Sequence, residues 1–247
     1  MTLELIVAAT VLVSLISLIG IVLIFVAKKR IDEMLFFLIS FSAGTLLGAA
    51  FFDLLPESVG SVDAIFALEI SFAGLMVAFV MEKVIHWHHH HAGREREHTH
   101  PLGMLSLIGD GMHNFFDGVA IAAAFIAGVP VGITTTIAIA LHEIPQEIGD
   151  FALLLYSGYS RMKALCFNFI SALAAVAGGV LFYFFSEAVE HFESYALAFT
   201  AGLFIYIAAA DLFPQMHKER NAAKSLVQLG CIAAGALAIW LIARLLE

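Results

Sequence analysis

Charge is scarce in this chain. Only 13% of its 247 residues are Asp, Glu, Lys or Arg, against roughly 25% in soluble domains. With 61% hydrophobic residues and a mean hydropathy of +0.95, too few polar groups remain to cover a surface facing water. Cysteine is scarce as well. Cys166 and Cys231 lie in apolar segments without CxxC spacing, which excludes a disulfide framework or a zinc ribbon. No run of Lys and Arg is long enough to grip nucleic acid, and no P-loop offers a seat for ATP. What charge there is leans one way: 21 acids face 12 bases, a net of −9. Apolar chains avoid charge, so the location of the surplus carboxylates bears on function.

What the chain has in plenty is long apolar runs. Charge clusters, Gly and Pro divide it into eight: 3–27, 34–56, 62–86, 102–127, 131–156, 162–186, 194–216 and 223–246. A bilayer core of about 30 Å takes roughly 20 residues of helix, and backbone in lipid must satisfy its own hydrogen bonds. The fold class expected is therefore an all-α integral membrane protein, one transmembrane domain over 1–247. The stretch 3–27 ends in Lys28, Lys29 and Arg30, the reverse of a signal peptide's charge order, and reads as a retained anchor. With both termini outside, eleven of the twelve Lys and Arg residues fall on the cytoplasmic side and only Arg244 outside, the bias expected of cytoplasmic loops.

Two of the spans repeat each other. Phe41-Ser42-Ala43-Gly44 followed by Asp53-Leu54-Leu55-Pro56 aligns without a gap, at an offset of 158, with Phe199-Thr200-Ala201-Gly202 and Asp211-Leu212-Phe213-Pro214. The spans concerned are the second and seventh, which cross in opposite directions. That is the signature of an inverted repeat, spans 1–3 mirrored by 6–8 with the pair 4–5 between them, a 3+2+3 arrangement. Asp53 and Asp211 either line a route or hold the helix pair together.

Spans 4 and 5 concentrate polar residues. Asp110, His113, Asn114 and Asp117 are spaced i, i+3, i+4 and i+7 and share one helical face. His142, Glu143, Gln146, Glu147 and Asp150 cover an arc of about 140° at ~100° per residue. A short turn at 128–130 makes the two helices antiparallel neighbours whose polar centres meet at similar depth. A buried carboxylate costs several kcal/mol unless neutralised, and these spans hold no Lys or Arg. A divalent cation would neutralise them, with His nitrogen and carboxylate oxygen as ligands suited to zinc or iron. A polar seam joining two helices, its acids protonated, is the alternative; Glu143, Glu147 and Asp150 also suit packing or proton relay. Pro145 lacks an N–H, so it frees the carbonyl of Leu141 beside His142 and kinks the helix.

HNFFDG at 113–118 followed by HEIPQEIGD at 142–150 resembles the paired HNxxD and HExPHE motifs of the ZIP family of divalent-metal transporters. The resemblance extends over the whole chain, and the Glu-Ile-Gly-Asp ending is similar to the zinc-importing subgroup. It implies import of zinc into the cytoplasm, with iron, manganese or cadmium as further cargo, by elevator-like motion at a mid-membrane site for one ion or two. It assigns His113, His142, Glu143 and position 146 to a primary metal site. Asn114 and Asp117 fall to a second that shares Glu143, with Asn168 of span 6 contributing. Gln146 departs from the family's His, replacing a nitrogen ligand with an amide oxygen, which favours a softer preference for zinc.

Seven histidines, His86, His88, His89, His90, His91, His98 and His100, crowd the cytoplasmic loop 87–101 and its edge, either a weak metal-release station or a solvated segment. The outer acids Glu57, Asp63, Glu187, Glu190 and Glu193 either concentrate cations or are ordinary surface. His142-Glu143 is similar to the start of the HExxH of zinc proteases, but the second His is absent, Pro145 interrupts the helix, and no enzyme activity or catalytic cofactor is expected. A non-transporting metal sensor is the third reading. Partners expected are the metal ion and the lipid bilayer, with a homodimer as a further option and no nucleic acid; the location is the cell membrane, multi-pass. Eight acids are assigned to the bilayer: Asp53, Glu69, Asp110, Asp117, Glu143, Glu147, Asp150 and Asp211. Setting them aside leaves thirteen acids against twelve bases, so most of the −9 lies within the bilayer.

Overall fold

A computed structural model describes residues 2–23, 28–92, 100–188 and 190–246, the side chains at 23, 28–34, 84–92, 100–102, 105, 156 and 187 excepted. The described residues are helical apart from short turns, without strands, and form eight rods. These are α1 (2–23), α2 (28–61), α3 (Ala64–Ala92), α4 (His100–Ala127), α5 (Val129–Tyr156), α6 (Arg161–Phe185), α7 (Phe192–Met216) and α8 (Ala222–Leu246). Six stretches are long and apolar enough to cross a bilayer: Thr2–Val22, Leu35–Ser61, Ala64–Lys83, Arg161–Phe185, Phe192–Met216 and Ala222–Leu246. α4 and α5 match them in length but spend that length on the polar stripe.

Local chemistry sets the ends. Asp63 Oδ1 accepts from the Phe66 amide at 2.9 Å and Asn221 Oδ1 from that of Ala223 at 3.0 Å, side-chain oxygens satisfying amides that a helix start leaves open. Gly128 alone separates α4 from α5, with Pro130 in the first turn of α5, where its missing N–H costs nothing. The helix expected to stop at Pro56 continues to Ser61. Residues Ala50–Leu54 form a wider, π-type turn, which gives the proline ring room and a place where no ladder donor is required. The segment 87–101, expected as a loop, is helical up to Ala92 and again from His100, and its histidine side chains lie outside the described residues.

The repeat is visible in the packing. Ile207–Leu212 of α7 form a second π-type turn just before Pro214, so the break recurs at the offset of 158. α2 runs along α8 and α3 along α7. At the first crossing Gly44 faces the Ile232 carbonyl and Gly235 that of Phe41; at the second, Gly202 faces Ser71 and Gly74 faces Phe199. A methyl group at any of these glycines would run into backbone oxygen. Small residues let apolar helices approach this closely, and dispersion between the close backbones holds them. A third such crossing joins α4 to α6 through Gly118 against Ala175 and Gly178 against Phe115. Ser14 of α1 donates to the Ala172 carbonyl of α6 at 2.7 Å, a contact between two positions that are themselves 158 apart. The rods thus fall into two groups, α2, α3, α7 and α8 in one and α1, α4, α5 and α6 in the other, meeting where α2 lies on α5 and α7 on α4.

Candidate metal centre

The stripe of α4 and the arc of α5 face each other. His113 Nε2 lies 3.2 Å from His142 Nε2, 3.4 Å from Glu143 Oε1 and 3.7 Å from Asp117 Oδ2. His142 Nε2 lies 3.3 Å from Asp117 Oδ2 and 3.6 Å from Glu143 Oε1. A tetrahedron of ligands about 2.0–2.1 Å from a zinc ion has edges of roughly 3.3–3.4 Å, so these atoms stand at close to the spacing of a four-coordinate shell. All four residues offer one ligand atom within 4.8 Å of the others. His142, Glu143 and Asp117 are buried, and His113 opens partly to a cavity.

The surroundings orient the ligands. His142 Nδ1 lies 3.3 Å from the Ala138 carbonyl, which suits a proton on Nδ1 and leaves Nε2 as the free lone pair. The Phe204 ring packs edge-on to the imidazole at 5.8 Å. The Leu141 carbonyl, deprived of its donor by Pro145, accepts instead from Ser42 Oγ of α2 at 2.7 Å. Neither oxygen of Glu143 and not Oδ2 of Asp117 receives a hydrogen bond. Acceptors buried without partners are costly, and a cation is the group that would complete them.

A second polar cluster adjoins the first. Asn114 Nδ2 donates to Asp110 Oδ1 at 2.9 Å. Ser171 donates to Asp110 Oδ2, Asn168 Nδ2 to Glu147 Oε2, and Ser106 to Asp150 Oδ1 at 2.9 Å. Here too Asn114 Oδ1, Glu147 Oε1 and Asn168 Oδ1 are buried acceptors without a donor. Asp117, one helical turn from His113, is brought together with His113, His142 and Glu143, and Asn114 with Asp110. Gln146, half-buried, lines the same cavity as His113 and His142. Ser42, Ser106 and Ser171, none flagged by the motifs, supply the supporting hydrogen bonds; a lone serine in an apolar helix carries no signal until its partner is known.

That cavity, about 650 Å³, extends from His113 and His142 past Asp110, Gln146 and Asp150 to Glu82, Asp211 and Gln215. It leads to the end of the bundle where Lys224 Nζ lies 5.9 Å from the Phe36 ring. At the opposite end a separate pocket of about 430 Å³ is lined by Asp53, Glu57, Thr134 and Arg244. The repeat relates the two, since Asp53 and Glu57 sit 158 residues before Asp211 and Gln215.

The sequence profile described as ZIP Zinc transporter matches residues 3–104 and 99–243. The chain belongs to the ZIP family. ZIP proteins are transporters rather than enzymes, and this one is a multi-pass membrane protein. Among its relatives, "Zinc transporter zipt-7.2" of Caenorhabditis elegans is 42% identical over 143 residues, 56% of this chain and 31% of that protein. "Zinc transporter ZIP13" of Pongo abelii is 33% identical over 213 residues, 80% of this chain and 63% of that one. "Metal cation symporter ZIP14" of Xenopus tropicalis is 30% identical across 83% of this chain and 60% of its own. The alignment with the worm ZIP protein thus spans about a third of that relative's length.

Proposed function

We propose that this chain imports divalent metal ions into the cytoplasm, zinc foremost, with manganese, ferrous iron and cadmium as further cargo. The observation that carries the reading is the set of four ligand atoms on His113, Asp117, His142 and Glu143, His142 Nε2 lying 3.2 Å from His113 Nε2 and 3.3 Å from Asp117 Oδ2, on a cavity that runs from His113 and His142 to Asp211 and Gln215. Glu143 is shared between this set and the oxygens of Asn114, Glu147 and Asn168, which would form a second, weaker seat in a binuclear centre. Gln146, on the cavity wall one turn from His142, meets the ion as it leaves.

All eight rods cross the membrane, with both termini outside, so the open cavity faces the cytoplasm. Alternating access follows from the two groups of helices: α1, α4, α5 and α6 carry the ion and slide against α2, α3, α7 and α8. The glycine crossings at α2–α8, α3–α7 and α4–α6 keep each group rigid, and the inverted repeat provides the matching conformation open to the other side. Uptake is tested with the purified chain in liposomes loaded with a zinc-sensitive dye. Zinc entry should be saturable, and His142→Ala or Asp117→Ala should lower it at least tenfold. Entry that persists at the parental rate in both variants would remove the site, and no entry into vesicles of either orientation would remove the function.

A further inference from the structure

The tie between Ser42 and Leu141 has a place in the mechanism that no sequence motif marks. Ser42 is buried on α2, at 1% exposure, and its hydroxyl donates to the Leu141 carbonyl at 2.7 Å. Leu141 precedes His142, and its carbonyl is open only because Pro145, four residues on, has no N–H to give. The hydrogen bonds Ser14–Ala172, Ser106–Asp150, Asn168–Glu147 and Ser171–Asp110 stay within the group α1, α4, α5 and α6. Tyr206–Glu82 stays within α2, α3, α7 and α8. Ser42–Leu141 instead joins one group to the other, directly behind a ligand of the four-atom set.

We propose that Ser42 is a positioning residue that bolts the site-bearing group to its partner in the state open at the basic end. This rests on the transport reading above. While the bond stands, the turn that presents His142 is fixed against α2. For the groups to slide it must break, which costs the Leu141 carbonyl its donor. The serine is thus a detent: it raises the population of one end state and sets the cost of leaving it. No proton or metal is exchanged in the step. One O–H···O contact opens, and the hydroxyl turns back to a carbonyl of its own helix.

The test uses the full chain in liposomes, with Cys166 and Cys231 replaced by serine and spin labels on cysteines introduced at Ala152 of α5 and Leu229 of α8, two exposed positions outside the site. Distances between the labels are read by pulsed electron paramagnetic resonance. The parent should show two separations, one dominant. Ser42→Ala should raise the ratio of minor to dominant by roughly threefold to tenfold, the worth of one net hydrogen bond. Ser42→Thr, which keeps the hydroxyl, should stay within twofold of the parent, and Ser42→Val, its isostere, should follow alanine. A distribution unchanged in Ser42→Ala, or one peak merely broadened, overturns the bolt and makes Ser42 a packing residue. Zinc uptake by the unlabelled parent is measured alongside. Absent uptake defeats the transport reading and the bolt with it, whereas intact uptake with an unmoved distribution defeats the bolt alone.

Discussion

His142 shows how a single residue is prepared for a cation. The Ala138 carbonyl stands against one ring nitrogen, Phe204 against its face, and Asp117, His113 and Glu143 around the other nitrogen. Most of this was legible in the sequence. A His and an Asp at i and i+4 on one apolar helix, facing a His-Glu pair on the next, leave few arrangements other than a shared centre. Which atoms Asp117 approaches was not legible, because spacing along a helix says which face a side chain takes but not which neighbour it reaches. The three serines were likewise invisible, since a hydroxyl serves equally for back-bonding within its helix. Gln146 yields a prediction at this scale. It lines the cavity beside the four ligands, where an amide oxygen is a poor partner for a borderline ion. Gln146→His should raise the ratio of zinc to manganese uptake by roughly threefold to tenfold, measured with both ions in competition. A ratio that stays put would take position 146 out of selectivity.

At the scale of the helices, the long apolar runs gave the rods their number and rough extent, since nothing but helix satisfies a backbone in lipid. The ends went wrong where proline was taken as a stop. Pro56 follows a π-type turn, and a widened turn tolerates what a regular ladder rejects. The close crossings lead to a stability prediction. Gly44 and Gly202 abut backbone oxygens of Ile232 and Ser71, which have no rotamer to yield, whereas Gly230 on α8 has open space where a side chain would begin. Gly44→Ala and Gly202→Ala should each cost more than about 3 kcal/mol and lower the melting temperature in detergent by roughly 10 °C. Gly230→Ala should leave it unchanged or slightly higher, as removing a helical glycine does. The measurement is monodispersity against temperature by size exclusion. Equal melting of all three would mean the crossings are looser than the carbonyl contacts imply.

For the whole molecule, the scarcity and lopsidedness of charge have a common origin. Carboxylates gather along one line through the bundle: Asp53 at one end, Asp117, Glu143, Glu147, Asp110 and Asp150 in the middle, Asp211 at the other. The exposed Glu69 on α3 stands outside this line. The two mouths are repeat-related yet differ in charge, because Arg244 shares its pocket with Asp53 and Glu57 while the larger cavity has Glu82 and Asp211 and, among the described residues, no Lys or Arg on its wall. Under the proposed direction of import, a guanidinium at that mouth would repel an arriving divalent ion. Arg244→Gln should therefore lower the KM for external zinc by about threefold at low ionic strength, with kcat little changed, and the gain should shrink as salt is added. Initial rates against zinc concentration at two salt levels check this, and a KM indifferent to both the substitution and the salt would mean the arginine plays no part in entry.

The recurrence of the π-type turn and its proline at an offset of 158 has a consequence for direction. A route built at both ends from the same repeated element contains no arrow: whatever path an ion would take inward, the same helices would serve it outward when the gradient reverses. On the topology expected from the sequence, the arrow comes instead from the eleven lysines and arginines assigned to the cytoplasmic side against the single Arg244 outside. They would tell the membrane which way round to hold a repeat that does not choose for itself.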